Sequence, residues 1–299
     1  MTWVFIAIGA ALAQSLRFMV QKRLRMGSLS TGGATFSRFV YALPLIAATA
    51  VGYSLIAHGG LPRVLPQFWA YAIAGGVGQI MATMCTVALF QYRNFTVGLT
   101  FKKTEVIQTA IIGLIILGDT VSGFAVMAMV IGMVGALILS DMPDAGSGWV
   151  ARLWNRAAGL GLLSGLLFGL CAVCYRGAIQ NVQGVTVFHS SSVALMLAIS
   201  LQLVIMMVYL RAFEPGQITQ VLRVWRVAIW VGVLSLMGSM GWFTAFALQN
   251  AAYVNAVGQI EIVFSIFISV LVFGERITTR EYLGIGLLLV SVCTIGFLI

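Results

Sequence analysis

The chain has 299 residues and a net charge of +9, with 61% hydrophobic and 8% charged residues and a mean hydropathy of +1.03. Soluble domains have just under half apolar and about a quarter charged residues, so this composition excludes a soluble globular domain and indicates a polytopic membrane protein. The basic residues lie mostly in short gaps between apolar runs, without the interleaved aromatic residues of a nucleic-acid surface. The charge therefore reflects membrane topology, and no nucleic-acid partner is predicted.

Ten apolar runs approach the roughly 20 residues that a helix needs to cross the hydrocarbon core. The predicted spans are Trp3 to Val20, Ala34 to Ile56, Phe68 to Phe90, Thr96 to Leu117, Phe124 to Leu139, Ala157 to Tyr175, Val187 to Leu210, Val227 to Leu248, Val254 to Phe273 and Tyr282 to Leu298. The first run ends like a signal peptide, but no basic residue precedes it and it matches an internal segment, so we interpret it as a retained span. Pro44 lies within the second span and predicts a kink there.

The ten runs form two copies of one unit. Glu105 stands fourteen residues before the acid of Gly118-Asp119, Glu261 stands fourteen before that of Gly274-Glu275, and the copies lie 156 residues apart without a gap. Residues 1–140 form the first predicted repeat, 141–156 a cytoplasmic connector and 157–299 the second repeat. Five spans per copy force the second copy to insert upside down, as in many transporters. We therefore predict an all-α membrane protein of ten transmembrane helices in two inverted five-helix repeats.

The basic residues predict the orientation. Eleven arginines and lysines lie in the odd-numbered connectors, against Arg63 and Arg176 on the opposite side. Cytoplasmic loops carry the excess of positive charge. Both termini are therefore predicted to face the outer, periplasmic side of the membrane.

Charged residues inside the fourth span are the first candidates for a site. Lys102, Lys103 and Glu105 lie two to three turns inside the membrane, where each charge costs roughly 2.5 to 3.5 kcal/mol on insertion scales. They are expected to face a cavity or a helix interface. A self-neutralising pair of Lys102 and Glu105 that joins neighbouring helices is the structural alternative, and it leaves Lys103 unexplained.

The second copy keeps the glutamate and loses the lysines. Glu261 matches Glu105, while Gly258 and Gln259 stand at the positions of Lys102 and Lys103. The surplus positive charge suits a substrate with a carboxylate or a phosphate. The glutamates suit an ammonium group or a proton.

Gln79 and Thr83 lie near one face of the third span and are predicted to contact the substrate in the same cavity. Trp242, in the eighth span, is a candidate for stacking on the substrate, with packing as the alternative. Gln14 and Arg38 are candidate gating residues, and Arg38 is alternatively an interfacial anchor. Arg17 shares a polar stripe with Gln14 but is expected to reach the cytoplasmic surface.

Metal, cofactor and enzymatic chemistry are not predicted. Cys171-x-x-Cys174 lies within an apolar run and is interpreted as two packing residues. The chain has no H-E-x-x-H motif, no G-x-S-x-G motif and no paired-carboxylate metal cluster, which disfavours an intramembrane enzyme.

The pattern resembles the EamA branch of the drug/metabolite transporter superfamily over essentially the whole chain. It rests on Ser37-Arg38-Phe39 after the first connector, on the two glutamate units and on the ten-span repeat. The resemblance implies a basket-like bundle with a central cavity lined mainly by spans other than five and ten. In that family proline often follows the glutamate; Val106 and Ile262 stand there, so the helix break that proline would cause is not expected.

The resemblance also implies function: bacterial members export amino acids and other small metabolites, and the YddG-type exporters of aromatic and neutral amino acids are the nearest group. The chain is interpreted as an inner-membrane carrier that works by alternating access, with Lys102 or Lys103 on the substrate carboxylate and Glu105 or Glu261 on its ammonium group or a coupling proton. A carrier of organic anions such as sugar phosphates, and a membrane receptor without flux, are the alternatives.

Overall fold

The computed structural model describes residues 1–89, 101–139, 156–264, 266–267 and 279–298. These residues are almost entirely helical, which confirms an all-α membrane protein. Seven helical stretches of these residues are long and apolar enough to cross a membrane, with Thr31–His58 counted as one stretch, and shorter apolar helices overlap the predicted fourth, fifth and ninth spans. The ten-span count stays a prediction, because parts of the fourth and ninth spans lie outside the described residues. So do residues 141–155 of the predicted connector and the Gly274-Glu275 pair.

The helices of the first half, in chain order, are α1 (Thr2–Met26), α2 (Thr31–Val40), α3 (Ala42–His58), α4 (Gln67–Leu89), α5 (Glu105–Leu117) and α6 (Gly123–Leu139). Those of the second half are α7 (Arg156–Gln180), α8 (Val187–Phe213), α9 (Gln217–Arg223), α10 (Trp225–Leu248), α11 (Ala251–Gly258) and α12 (Thr279–Leu298). Two short strands, β1 (Arg63–Val64) and β2 (Val182–Gln183), lie between helices.

The second predicted span is broken where its proline predicts a kink. Helix α2 ends at Val40 and α3 begins at Ala42, with Tyr41 between them. Pro44 has no N–H to donate to the carbonyl of Val40, and its ring crowds that carbonyl.

The core is built from pairs of helices in which each half contributes one member. Helix α4 packs along α7, α1 along α10, and α6 along α12. Helices in lipid associate through close packing rather than through hydrophobic burial, so small residues mark the crossings. A Cβ at Gly75 would lie 3.0 Å from the Tyr175 ring, and one at Gly241 would lie 2.8 Å from the Cβ of Ala10.

Contacts between connectors also join the two halves. Strand β1 pairs antiparallel with β2, so the second connector lies beside the sixth. The Arg176 Nε atom lies 2.9 Å from Asp119 Oδ2, which links the end of α7 to the end of α5. Between the first and seventh connectors, the Ser30 hydroxyl donates to Glu214. Even-numbered connectors thus meet each other, as do odd-numbered ones.

The α6–α12 crossing is expected to be sensitive to a single added methyl group. A Cβ at Gly135 would lie 2.8 Å from the carbonyl oxygen of Gly284, whereas one at Gly286 would meet nothing within 4 Å. Overpacking a close contact typically costs about 1–3 kcal/mol. Gly135→Ala should therefore lower the thermal unfolding temperature of the detergent-purified protein, while the control Gly286→Ala should not. Equal unfolding temperatures would contradict the close crossing.

Candidate functional site

Glu105 and Glu261, both half-buried, each stand at the first position of a helical segment that follows a break. Lys103 and Thr104 form a turn before α5 starts at Glu105, and the turn after α11 ends just before a helical segment starts at Glu261. The expectation of an unbroken helix without proline is therefore wrong. The backbone at the first break packs closely against α7, where a Cβ at Gly165 would lie 2.9 Å from the carbonyl oxygen of Lys102.

The two breaks touch each other in the middle of the protein. Gln259 Nε2 donates a hydrogen bond of 3.2 Å to the backbone carbonyl of Lys103. These residues lie 156 positions apart, which is the repeat offset. The bond satisfies a carbonyl that the broken helix leaves without its usual partner. Irregular backbone at membrane depth is tolerated only where protein buries it or where it lines a cavity.

Each glutamate accepts a hydrogen bond from an amide of the opposite half. Asn255 Nδ2 donates to Glu105 Oε1 over 3.1 Å and also lies 3.0 Å from Thr109 Oγ1. Gln14 Nε2 donates to Glu261 Oε2 over 2.9 Å. Each carboxylate thus accepts a hydrogen bond from a side chain that belongs to the other half.

Trp242 extends one of these contacts into a chain. Its indole nitrogen donates to Gln14 Oε1 over 3.1 Å. An indole N–H is only a donor, so it fixes the orientation of the Gln14 amide and directs the amide nitrogen towards Glu261. The ring of Trp242 covers Gly258, where a Cβ would lie 2.5 Å from the ring edge. Gly258 stands where the first copy has Lys102, and its lack of a side chain leaves space for the Trp242 ring.

The two lysines lie in different surroundings. Lys102 is 4% exposed, and its Nζ lies 5.0 Å from the ring centre of Phe18 and 4.6 Å from that of Phe168. These distances suit cation–π contacts. Lys103 is half-buried. An ion pair joins Arg176 and Asp119, whereas none joins the described residues Lys102 and Glu105, so the alternative of a self-neutralising Lys102–Glu105 pair is not found.

These groups surround a cavity of about 690 Å³, a volume that includes its open mouth. The lining residues come from α1, α4, the two broken segments, α7 and α10: Gln14, Gln79, Lys102, Lys103, Glu105, Val106, Phe168, Cys171, Ala172, Tyr175, Ser239, Trp242, Phe243, Phe246, Asn255, Gly258, Gln259 and Glu261. These elements are repeat-equivalent pairs, and none of these residues lies on α6 or α12.

The structure brings most of the predicted site residues together. Seven of the eight predicted substrate-binding residues line the cavity, and so does Gln14, which was predicted to act in gating. The exception is Thr83, which is fully buried and accepts a hydrogen bond from Arg38. Thr83 is therefore placed to hold another side chain rather than to contact a substrate in this cavity.

Arg38 connects repeat-equivalent hydroxyl groups. Its Nη1 donates to Thr83 Oγ1 and its Nη2 to Ser239 Oγ, each over 3.2 Å, and positions 83 and 239 differ by the repeat offset of 156. Arg38 is 4% exposed. It is a buried cross-link between α2, α4 and α10 rather than an interfacial anchor, and Ser239 separates it from the cavity.

Arg17 does not reach the cytoplasmic surface, so that expectation is wrong. It is 2% exposed, and its Nη1 donates to Gln21 Oε1 over 2.6 Å. Gln21 in turn donates to the backbone carbonyl of Ala34 on α2. The start of α2 thus covers the stripe and holds the arginine inside the bundle.

Sequence reasoning missed the aromatic side of the cavity. Tyr175 and Phe243 lie with ring centres 4.6 Å apart, and the Tyr175 hydroxyl donates to Gln79 Oε1. Phe246 stacks near Trp242 with ring centres 6.1 Å apart. The helical spacing of Ser239, Trp242 and Phe246 on α10 is a signal that places them on one face.

Comparisons with known proteins agree with this architecture. Residues 155–297 match the model of the EamA-like transporter family. A solved structure described as "Crystal structure of protein" is similar to this chain, with a TM-score of 0.72 and 13% identity over 99% of this chain and 96% of its own. At that identity the likeness shows the fold alone. No curated protein matches the chain.

Together, the family match and the apolar helices support a multi-pass membrane transporter of the drug/metabolite type. The matched family is the EamA-like transporter family, and the match covers the second half of the chain. It is a family of transporters and not of enzymes, which is consistent with the absence of catalytic motifs from the sequence.

Replacing Thr83 by the isosteric valine should lower the stability of the folded protein, because Arg38 loses one of its hydrogen-bond acceptors. The change removes one of two interhelical acceptors from a buried guanidinium and is expected to cost about 1–2 kcal/mol. Thermal unfolding in detergent measures the effect. Thr49→Val is the control, because the Thr49 hydroxyl bonds its own helix. If both variants unfold at the same temperature, Arg38 does not depend on Thr83.

Proposed function

We propose that the chain is a secondary transporter of the bacterial inner membrane that exports neutral and aromatic amino acids by alternating access. It would belong over its whole length to the EamA branch of the drug/metabolite superfamily. The observation that carries the proposal is the cavity, where two lysines and two glutamates share one space with the rings of Trp242 and its neighbours.

A zwitterion with an apolar side chain matches this lining. Lys102 or Lys103 would bind the carboxylate, and Glu105 or Glu261 the ammonium group. Lys103 is the less buried of the two lysines. Lys102 is held between two aromatic rings. The rings of Tyr175, Phe243 and Phe246 offer the apolar surface that a neutral or aromatic side chain would bury.

Contacts between repeat-equivalent residues support alternating access. Gln259 bonds the backbone of its equivalent Lys103, and Arg38 bonds the equivalent hydroxyls of Thr83 and Ser239. In transporters with inverted repeats, the two halves exchange conformations around a fixed central site. Arg38 would act as the gating residue beneath the cavity. Gln14, bonded to Trp242 and Glu261, would respond to the contents of the cavity.

The orientation follows from the basic connectors. The arginines and lysines concentrate in the odd-numbered connectors, and the first and seventh of these contact each other through Ser30 and Glu214. With that side in the cytoplasm, both termini face the periplasm. The lipid bilayer and a small-molecule substrate are then the partners, together with a coupling proton if a glutamate carries one.

A carrier of organic anions such as sugar phosphates is the second candidate. The observation that favours it is the set of cations around the cavity. Lys102 and Lys103 line it, and the buried Arg17 shares the Phe18 ring with Lys102. A phosphate would need more positive charge than a carboxylate does.

Counterflow into liposomes tests the amino acid proposal. Purified protein is reconstituted with a labelled neutral amino acid, against unlabelled amino acids, sugar phosphates and quaternary amines. We expect amino acids to compete, and Lys102→Ala or Lys103→Ala to reduce flux at least about tenfold, the loss expected for one charge-assisted hydrogen bond. Lys22→Ala is the matched control, because Lys22 does not line the cavity.

Other outcomes select other functions. Flux that only phosphorylated compounds inhibit would replace the amino acid proposal by the organic-anion candidate. Binding of a ligand without flux of any substrate would favour a membrane receptor.

Proton coupling predicts a second result with the same liposomes. An imposed pH gradient should drive uptake of the labelled amino acid, and Glu105→Gln or Glu261→Gln should remove the response because glutamine cannot carry the proton. Glu281→Gln, on α12 and away from the cavity, is the control. Transport that ignores the gradient in the unmodified protein would identify a facilitative carrier.

A further inference from the structure

Four amide side chains line the cavity, and one of them differs from the others in how it is bonded. Three donate through their amide nitrogen to protein acceptors, and they are Gln14, Asn255 and Gln259. The fourth is Gln79, whose hydrogen bonds with other side chains all reach its oxygen, Oε1. The nitrogen of Gln79 is therefore the amide donor that the protein leaves for another molecule.

Two neighbours fix the orientation of the Gln79 amide. Gln202, on α8, is 1% exposed, and its Nε2 donates to the backbone carbonyl of Gly76 over 3.3 Å and to Gln79 Oε1 over 2.8 Å. A backbone carbonyl only accepts, so the nitrogen of Gln202 must face it, and the atom of Gln79 beside that nitrogen must be the oxygen. The Tyr175 hydroxyl donates to the same oxygen over 3.1 Å. The nitrogen of Gln79 is thus turned away from both partners.

This nitrogen is accessible from the cavity. Among the residues that the structure describes, Gln79 Nε2 has no acceptor, and protein does not enclose it. Gln79 is half-buried and lines the cavity. An amide nitrogen carries two hydrogens, so a molecule in the cavity that presents an oxygen can accept from it.

The fold does not need the pair of glutamines for packing. A Cβ at Gly76 would lie 3.4 Å from Gln202 Cγ, so the glycine lets Gln202 approach α4 closely. The repeat-equivalent positions of Gln79 and Gln202 hold Ser235 and Ile46. The equivalent helices, α10 and α3, pack against each other without an amide pair. This difference favours a role of the pair at the cavity.

The pair lies on the aromatic side of the cavity. Its contacts are on α4, α7 and α8, whereas the lysines and glutamates stand on the two broken segments. The ring of Tyr175, which bonds Gln79, lies with its centre 4.6 Å from that of Phe243. An amino acid whose carboxylate and ammonium group bind the charged residues would direct its side chain towards these rings, where Gln79 donates.

We propose that Gln79 Nε2 donates a hydrogen bond to an oxygen on the substrate side chain, and that Gln202 is the positioning residue that orients it. This rests on the proposed function and narrows its substrate class to neutral amino acids whose side chain carries a hydroxyl or carboxamide group. A site that is built to hydrogen-bond such a group discriminates against an analogue without it, because its own polar group is then left unpaired.

Counterflow with matched competitors tests the assignment. The full-length protein in liposomes exchanges a labelled neutral amino acid against tyrosine or phenylalanine, and against asparagine or leucine. Both members of a pair carry the same carboxylate and ammonium group, so the lysines and glutamates contribute equally to both. We expect Gln79→Met to shift the ratio of half-inhibitory concentrations of at least one pair about fivefold towards the member without oxygen, as for one neutral hydrogen bond.

Variants of Gln202 test the positioning role. Gln202→Met should shift the same ratio in the same direction but less, because Tyr175 still bonds Gln79. Added to Gln79→Met it should shift the ratio no further, since it acts only through Gln79. Gln180→Met is the matched control, because Gln180 is exposed and does not line the cavity. If Gln79→Met fails to fold, Gln202→Met still decides the result, because the ratio does not depend on the amount of active protein.

Three results would overturn the proposal. Ratios that Gln79→Met leaves unchanged would show that Gln79 does not contact the side chain, and equal weakening of both members of each pair would assign Gln79 to the carboxylate. Additive shifts in the double variant would show that Gln202 does not act through Gln79. Competition with unchanged ratios contradicts this proposal alone, whereas the absence of competition by any amino acid contradicts the proposed function as well.

Discussion

The structure depends on the contact between two interrupted helices at its centre. The break before Glu105 and the break before Glu261 leave backbone groups without helical partners at membrane depth, where such groups must be buried by protein or line a cavity. The hydrogen bond from Gln259 to the carbonyl of Lys103 satisfies one of them across the two halves. Because the breaks must be enclosed, the surrounding helices pack closely through glycines such as Gly165, and the enclosed space becomes the cavity.

The same constraint explains why each half supports the charges of the other. Asn255 from the second half bonds Glu105, and Gln14 from the first half bonds Glu261. A rearrangement of the halves would change both contacts at once. The hydrogen bonds of both glutamates therefore depend on how the two halves pack against each other.

Sequence reasoning located the polar centre well and its surroundings less well. Membrane burial makes charges costly, so Lys102, Lys103, Glu105 and Glu261 stand out in an apolar chain, and the repeat adds Gln259. The aromatic side of the cavity was missed because tyrosine and phenylalanine, such as Tyr175 and Phe243, are common in packed helices and carry no charge. The helix breaks were missed because neither glutamate is followed by the proline that would signal a break in the sequence. Thr83 was predicted to line the cavity and Arg17 to reach the cytoplasmic surface. Helical spacing shows which residues share a helix face, but it does not show which other helix covers that face.

Asymmetry within the repeated scaffold is the remaining feature to explain. A lysine at position 102 lies between two rings in the first half, while Gly258 at the equivalent position admits the Trp242 ring. The difference between Lys102 and Gly258 therefore places a cation in the first half and leaves space for an indole ring in the second half. The indole is then anchored through Gln14 to Glu261. A repeated scaffold thus presents an asymmetric surface to the cavity, with the lysines on the first broken segment and the indole on α10.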